Sequence, residues 1–414
     1  MSETYVSKLD PRHPEYEAYA AKVKEFMKAK DFSAIGEIIG GLIQEEIVLE
    51  DIVPEIIGEF DWSDVTGMEQ LFRAPLKWHG NTAVTMENGM TLPTAKVTQN
   101  KVNVPIEYVT TPAYPVDTND IKVGDLVTIE AIKNAGKNAL ITAKCQRLYT
   151  LLCSEADMTD PAHASTKVTV LVDQGTYSDA SDDPAYIREL TRNLGEAVSE
   201  LQETSNGRPV IKGFCRQVTL DKANKAELSG VDLLAIPAAQ DDLERPIFTE
   251  GDIVLVAPYA ANAATIMDVE SDEEKSAQYT VSYAQRWGHK WILWGTQYLR
   301  RFIIIDQVAG GAPVVDEFTA TSLSLYFSKP VLKSTITALT GSILVEATGD
   351  TGTQLATFTT ATDVTIAADM RHVTIALGGL TAGSAYNIIA GASLTDVGGE
   401  AFCAATTIGT ALVA

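Results

Sequence analysis

Between Asn88 and Tyr108 the chain reads NGMTLPTAKVTQNKVNVPIEY. Apolar and polar residues alternate along it as in a strand, with Gly89, Pro93 and Asn100 interrupting. The wider stretch Leu71–Asp117 holds two strand-like runs, AVTMENGMTLPTAKVT and KVNVPIEYVTTPAYPV, punctuated by Asn88-Gly89 and the Asn100 region. Few large apolar residues occupy the tip, so such a hairpin buries little by itself, and an isolated two-stranded ribbon is marginal in water. A ribbon this long has to be held by something else, and that requirement restricts the folds open to the chain.

With 414 residues the chain is too long for one ordinary core, and two or three domains are expected. Hydrophobic residues make up 45% of it, enough for a packed globular protein. No apolar run reaches the roughly 18 residues of a membrane span; the best candidate, Phe302–Val315, is broken by Asp306, Gln307 and two glycines. The start MSETYVSKLD lacks the basic-then-apolar pattern of a signal peptide, so synthesis and use in the cytosol are expected. The formal net charge of −23 has the wrong sign for gripping phosphates, and the longest basic cluster is the pair Arg300–Arg301. Sequence-specific DNA binding is therefore not expected, although an acidic wall can still face DNA by repelling it.

Several elements can be read in order. Tyr16, Tyr19, Val23, Phe26 and Met27 share a helical face. AIGEIIGGLIQEEIVLEDIVPEIIGEF follows, too apolar to float free and too interrupted by glycines and Pro54 to be one helix. Two readings stay open for residues 1–63: a helix pair in the core, or an arm buried by a neighbouring subunit. Apolar residues from Ile129 to Leu151 recur at spacings of three and four, giving a helix from about Asp125 to Leu152, roughly 40 Å long at about 1.5 Å per residue, in which Gly136 marks a close contact or a bend. In DDPAYIRELTRNLGEAVSEL, Asp182 or Asp183 caps a helix with Pro184 in its first turn and Ile187, Leu190, Leu194, Val198 and Leu201 as its stripe. RPVIKGFCRQVTL and GDIVLVAP read as strands, and SAQYTVSYAQRWGHKWILWGTQYLRRFIIIDQV as two or three core strands ending near Val308. AGGAP at Ala309–Pro313 is a linker by composition. Beyond it, charge thins out and TSLSLYF, SILVEAT, QLATFTT, DVTIAA, HVTIALG and YNIIAG follow one another between turn residues, the pattern of an all-β sandwich of about 100 residues.

Catalytic patterns are missing. The chain has no phosphate loop, no GxSxG elbow, no GxGxxG and no HExxH. Cys145, Cys153, Cys215 and Cys403 form no CxxC and are expected as inert thiols. Acidic pairs such as Glu45-Glu46, Asp182-Asp183 and Asp241-Asp242 are expected as solvated faces or caps. The run ESDEEK at Glu270–Lys275 is expected as an exposed loop, not a metal site. No enzymatic activity, metal or cofactor is expected. The aromatic cluster Tyr283, Trp287, Trp291, Trp294, Tyr298 and Phe302 reads first as core packing, with an interface as the alternative because Arg286, Arg300 and Arg301 lie beside it.

The order of these parts resembles that of tailed-phage major capsid proteins of the Hong Kong 97 type, over about residues 1–308. The resemblance is architectural and rests on no short motif. It implies an α+β fold with an N-terminal arm (1–63), an E-loop ribbon with flanking strands (64–119), and a spine helix with peripheral and axial domains (120–308). The axial domain falls at about Tyr186–Thr265, and YAQRWGHKWILWGTQYLRRFIII returns to the peripheral domain. In that family the ribbon lies over the neighbouring subunit, here with ENGMTLP (Glu87–Pro93) near its tip. After the linker (309–313), SLSLYFSKPV at Ser322–Val331 and LTAGSAYNIIAGASLTDVGGEAF at Leu380–Phe402 resemble bacterial Ig-like domains, covering 314–414. That likeness puts Tyr386 in the core and Asp396, Gly398 and Gly399 in a tight turn.

What the resemblance implies is a structural subunit that assembles as hexamers and pentamers into an icosahedral head enclosing double-stranded DNA, with the Ig-like domain decorating the outside. The candidate intersubunit contacts are Glu87, Met90, Lys96, Lys101, Trp287, Trp291 and Arg300. The implied partners are copies of the chain, a separate scaffolding protein in place of a fused segment, and portal and decoration proteins; no membrane is involved. The implied location is the virion, assembled in the host cytoplasm. Lys96 and Lys101 lie on the ribbon, but nothing in the sequence shows that they crosslink. The rival readings are an encapsulin-like cargo compartment, a surface adhesion protein with an Ig-like module, and a hydrolase whose site is assembled from distant residues.

Overall fold

The computed structural model describes residues 8–9, 12–58, 71–73, 101–103, 107–117, 126–153, 166–172, 184–205, 209–224, 230–237, 248, 251–258, 260–277, 280–293, 298–305, 310–331, 333–337, 342–348, 358–378, 380–381 and 384–412. The fold is α+β, and the chain divides into two compact units. The first comprises Met1–Asp51, Glu59–Leu140 and Asn262–Ile292; the second comprises Ile52–Gly58, Ile141–Ala261 and Leu293–Ala414.

In the first unit, α1 (Tyr16–Ala29) is followed by α2 (Phe32–Glu50), whose first turn is capped by Asp31 accepting from the Ala34 N–H at 3.2 Å. The glycines expected to interrupt α2 lie inside it. Gly36 and Gly40 let it approach β9 (Ala261–Ala277) closely: a β-carbon at Gly40 would lie 3.0 Å from the Val269 carbonyl oxygen. Gln44 Oε1 accepts from the Val269 N–H at 2.9 Å on the same side. The break comes instead at Asp51, and the Pro54-containing turn α3 (Val53–Ile57) belongs to the second unit. Ile35, Ile39, Ile43 and Ile47 of α2 are fully buried, as a helix in the core of its own chain would be.

Two short strands, β1 (Leu71–Arg73) and β2 (Lys101–Asn103), pair antiparallel with Leu71 opposite Asn103 and Arg73 opposite Lys101. β3 (Glu107–Thr110) and β4 (Tyr114–Asp117) both pair with β10 (Thr280–Leu293), and β9 pairs with β10 as well. Along β10, Val281, Tyr283, Gln285, Trp287 and His289 are buried at every second position, the period of one strand face. The acidic run Glu270–Lys275, expected as a loop, is part of β9; pairing with β10 carries it as strand, and a strand with one partner among the described residues tolerates charge.

Helix α4 (Leu126–Leu152) matches the expected long helix; its residues to Leu140 belong to the first unit and the rest to the second. Gly136 is a close contact: a β-carbon there would lie 2.6 Å from Gln285 Oε1.

The second unit holds a five-stranded mixed sheet in the order β5 (Thr166–Val172), β11 (Leu299–Ile305), β8 (Asp252–Val256), β6 (Ile211–Cys215), β7 (Val231–Ala235). Helix α5 (Pro184–Thr204) lays Leu190, Leu194, Val198 and Leu201 against Ile211, Ile253, Leu255, Phe302 and Ile304 of that sheet. The capping aspartates Asp182 and Asp183 lie outside the described residues. The strand expected over Arg208–Leu220 ends at Cys215, and helix α6 (Gln217–Asn224) follows, with Gln217 Nε2 donating to Asp221 Oδ1 one turn on.

The C-terminal stretch of this unit has two sheets. One runs β12 (Val314–Phe318), β13 (Ser322–Tyr326), β16 (His372–Ala376), β15 (Val364–Ile366); the other runs β14 (Ile343–Ala347), β17 (Ala385–Ala390), β18 (Thr406–Leu412). Lettered in chain order these are A-B-E-D and C-F-G, consistent with an immunoglobulin-like sandwich. Leu323, Leu325, Phe327, Val345, Val373, Ile375 and Ile388 fill the space between them. QLATFTT, expected as a strand, ends in the single helical turn α7 (Thr360–Asp363), where Thr359 N–H donates to Asp363 at 2.6 Å; Gln354–Thr357 lie outside the described residues.

Candidate assembly surfaces

Strands β1 and β2 pair with each other, and residues 74–100, which lie outside the described residues, separate them in the chain. Of the candidate contacts on the expected ribbon, Glu87, Met90 and Lys96 lie outside the described residues; Lys101 stands in β2 opposite Arg73.

Beyond β2, strand β3 adds to the outer part of the β10 sheet and leaves Tyr108 half exposed, with the Arg286 guanidinium 5.2 Å from its ring centre and Glu270 3.3 Å from Arg286. Gly288 allows a close approach beside them, since a β-carbon there would lie 2.9 Å from Met267 Cβ and 3.3 Å from the Tyr108 ring. An exposed tyrosine under an arginine is the composition that concentrates at contacts between proteins. Sequence reading did not single out Tyr108. Its only signal was position, in the alternating run that follows β2.

Trp287 and Trp291, the other aromatic candidates, are 2% and 7% exposed within the chain. They stack around His289, with ring centres 4.2 Å and 5.9 Å from it. The chain itself therefore covers most of their surface. Trp294 lies outside the described residues. Arg300 is buried on β11, where its Nε donates to Glu200 of α5 at 3.3 Å and its Nη1 to the Leu299 carbonyl at 2.7 Å.

Two buried ionic clusters were not read from the sequence. On the first unit, Glu46 and Glu50 of α2 face Lys133 and Lys137 of α4, each pair one helical turn apart. Glu46 is 4% and Lys133 1% exposed, and Lys137 lies 3.2 Å from Glu46 and 2.7 Å from Glu50. Burial pushes the Lys137 ammonium down, and its bonds to Glu50 and Glu46 outweigh that and raise it. Helix α2 is thus tied to the long helix by charge. In the second unit, Arg301 donates through Nε to Asp252 Oδ1 at 2.8 Å and through Nη2 to the Tyr149 hydroxyl at 2.6 Å. All three side chains are at most 1% exposed. The available signal was a charge bordering an apolar run, Asp252 before IVLV and the basic pair Arg300–Arg301 before FIII.

In the sandwich, Asp396 Oδ1 accepts from the N–H groups of Gly398 at 2.9 Å and Glu400 at 3.0 Å, while Gly399 takes φ +90°, a region that costs a side chain strain. Tyr386, at the start of β17, accepts from the Thr381 N–H at 2.9 Å through its hydroxyl, the arrangement of a tyrosine corner. Three of the four cysteines are buried and all are free; burial, with Asp252 and Asp221 nearby, pushes the Cys215 thiol up to about 12. Among the described residues, no group of three His, Cys, Asp or Glu side chains is placed to hold a metal ion, and no helix is long and apolar enough to cross a membrane.

No family model and no curated protein matches the chain. Solved structures do. The capsid of the cyanophage P-SCSP1u is similar at 10% identity and TM-score 0.37, over 57% of this chain and 82% of that one. A virus-like particle from Pyrococcus furiosus is similar at 14% identity and TM-score 0.37, over 63% of this chain and 96% of that one. The mature capsid of bacteriophage PhiM1 is similar at 9% identity and TM-score 0.37, over 56% and 82%. No residue role is carried over from any of them.

Proposed function

We propose that the chain is the structural subunit of a closed icosahedral shell of the Hong Kong 97 type, assembling as hexamers and pentamers around double-stranded DNA. The observation that carries this reading is the short pair β1–β2: two paired three-residue strands are separated by 27 residues of sequence, which we read as an excursion over a neighbouring copy. A strand pair that short cannot stabilise such an excursion alone. A neighbouring copy supplies the missing surface, and a closed shell needs that same contact to recur between slightly different neighbours.

Residues 64–119 act as the E-loop with its flanking strands, α4 as the spine helix, about Tyr186–Thr265 with α5, β6, β7 and β8 as the axial domain, and β10 with β11 as the return to the peripheral domain. Residues 1–63 form the N-terminal arm, tied to the spine by Glu46, Glu50, Lys133 and Lys137. Residues 314–414 form an Ig-like domain on the outside. Tyr108 and Arg286 join Glu87, Met90, Lys96 and Lys101 as contact residues. The role is non-catalytic. The net charge of −23 keeps packaged DNA from adhering to the wall. Scaffolding, portal and decoration proteins are the separate partners, and assembly takes place in the host cytoplasm before the subunit resides in the virion.

Replacing residues 76–98 by a two-residue Asn-Gly turn tests the reading, because it removes the excursion and leaves β1 and β2 free to pair. Sedimentation of the wild-type chain beside this variant, each also with the scaffold protein, is the assay. Capsomer-sized or larger species from the wild type and monomer from the folded variant are expected. Equal assembly by both would overturn it.

A further inference from the structure

The turn between β15 and β16, Ala367–Arg371, projects from the sandwich into the buried Arg301–Asp252–Tyr149 cluster. The Ala368 carbonyl accepts from Arg301 Nη1 at 2.7 Å and lies 3.0 Å from the Tyr149 hydroxyl. Tyr149 has one proton and two acceptors within reach, Asp252 Oδ2 and Ala368 O, while it also accepts from Arg301. We propose that this turn is an intramolecular plug, that Arg301, Asp252 and Tyr149 are its socket, and that the C-terminal sandwich is a fixed part of the subunit instead of a module on a tether. The inference concerns this chain alone and stands whether or not the protein forms a shell.

Both halves are built for it. On the plug side, Asp369 accepts from the N–H groups of Arg371 at 3.0 Å and His372 at 3.2 Å, and its other oxygen meets His372 Nδ1 at 2.5 Å. Met370 is held at φ +57° while its carbonyl accepts from Val331 N–H at 2.8 Å. A non-glycine residue in that region persists only where its surroundings fix it. On the socket side, Gly251 takes φ +88° and its N–H donates to the buried Thr219 hydroxyl at 2.9 Å, which fixes the start of the strand that carries Asp252. Tyr149 packs edge-on against Phe248 with ring centres 4.6 Å apart. Burial pushes the Tyr149 phenol well above its ordinary range, so it stays protonated.

β11 explains why one strand can do this. Phe302 and Ile304 point to the α5 side, whereas Ile303 belongs to the apolar cluster of the sandwich together with Leu323, Val331, Met370 and Phe402. Arg301, two residues before Ile303, shares its face. The linker joins in at Gly310, where a β-carbon would lie 2.8 Å from Phe402, and Gly311 N–H donates to the Phe402 carbonyl at 2.9 Å. Contacts between domains of one chain are mostly polar and permit motion. Here a fully buried charge pair and a shared apolar cluster replace them. The end of the sandwich that carries the β13–β14, β15–β16 and β17–β18 connections is occupied by this contact, which leaves the end carrying the β12–β13 and β16–β17 turns to meet anything else.

Residue-resolved hydrogen exchange on the intact chain tests the plug, comparing wild type with Tyr149→Phe, which removes one hydroxyl and keeps the ring on Phe248. Exchange in β15 and β16 is expected to speed up roughly three- to tenfold in the variant, the loss of one buried hydrogen bond, although the substitution lies outside the sandwich. Unchanged exchange in β15 and β16 would overturn the proposal. Calorimetry of the wild-type chain gives a readout that needs no variant. The sheet and the sandwich are expected to unfold in one transition, and a separate sandwich transition would also overturn it.

Discussion

Three helical glycines give a graded test of how the first unit is packed. Each would gain about 1 kcal/mol of helix propensity on becoming alanine. Their surroundings differ. At Gly41, in the exposed part of α2, a β-carbon would meet nothing within 4 Å. At Gly40 it would lie 3.0 Å from the Val269 carbonyl oxygen, a backbone atom held in β9. At Gly136, in α4, it would lie 2.6 Å from Gln285 Oε1 and 3.3 Å from Ile43 Cδ1. Gln285 is fully buried and cannot swing away freely, because its Oε1 accepts from the Thr111 hydroxyl at 2.9 Å and its N–H donates to that same hydroxyl at 2.9 Å. Overpacking of this kind costs about 1–3 kcal/mol. Gly41→Ala should therefore stabilise by about 1 kcal/mol, Gly40→Ala should come out near neutral, and Gly136→Ala should destabilise by up to about 2 kcal/mol. The readout is thermal unfolding followed by tryptophan fluorescence, since the buried Trp287 belongs to the same unit. At about 2–4 °C per kcal/mol the first and last variants should part by several degrees. Protomer concentration has to be held constant, because assembly shifts the midpoint. If Gly136→Ala raised the midpoint as far as Gly41→Ala, the close approach of α4 to β10 would be refuted.

Four further outcomes are expected. Asp252→Ala leaves the Arg301 guanidinium buried without its carboxylate and should cost about 3–5 kcal/mol in denaturant unfolding; a loss under 1 kcal/mol would mean that water reaches the pair. Glu46→Gln does the same to Lys133 and should destabilise the first unit more than Glu50→Gln, whose carboxylate is half exposed, as midpoints in urea would report. Tyr386→Phe removes the hydroxyl that accepts from the Thr381 N–H and should lower sandwich stability by about 1 kcal/mol by the same measurement. Burial raises the Asp369 carboxyl, but His372 and two backbone N–H groups outweigh that and hold it below its ordinary value. Its contribution is therefore complete above about pH 4 and lost as pH falls through the depressed value, so acid titration of Asp369→Asn should show a flatter stability profile below about pH 4 than wild type.

What the sequence made legible is what periodicity controls. The long helix at Leu126–Leu152, the stripe from Ile187 to Leu201, the strands at Asp252–Val256 and Leu299–Ile305, and five of the six alternating runs of the sandwich all stand where spacing placed them. The misses are tertiary. Gly36 and Gly40 read as breakers, but they serve a close helix–strand approach that no local pattern encodes. Glu270–Lys275 read as a loop because charge usually marks one, and pairing with β10 overrode that preference. The turn from strand to helix at Gln217 fell within a run of β-formers. Arg301 was visible only as half of a basic pair. Its partners lie 49 and 152 residues away in the chain, and only folding brings them together. The aromatic cluster on β10 could be read as core or as interface, and Trp287 at 2% exposure belongs to the core.

Negative-stain electron microscopy of the purified full-length protein, alone and with a candidate scaffold protein added, tests the shell reading most directly. The expected images are closed shells, capsomer rings or sheets, with knobs on one surface where the sandwich stands. A dispersed monomer under both conditions would contradict the account.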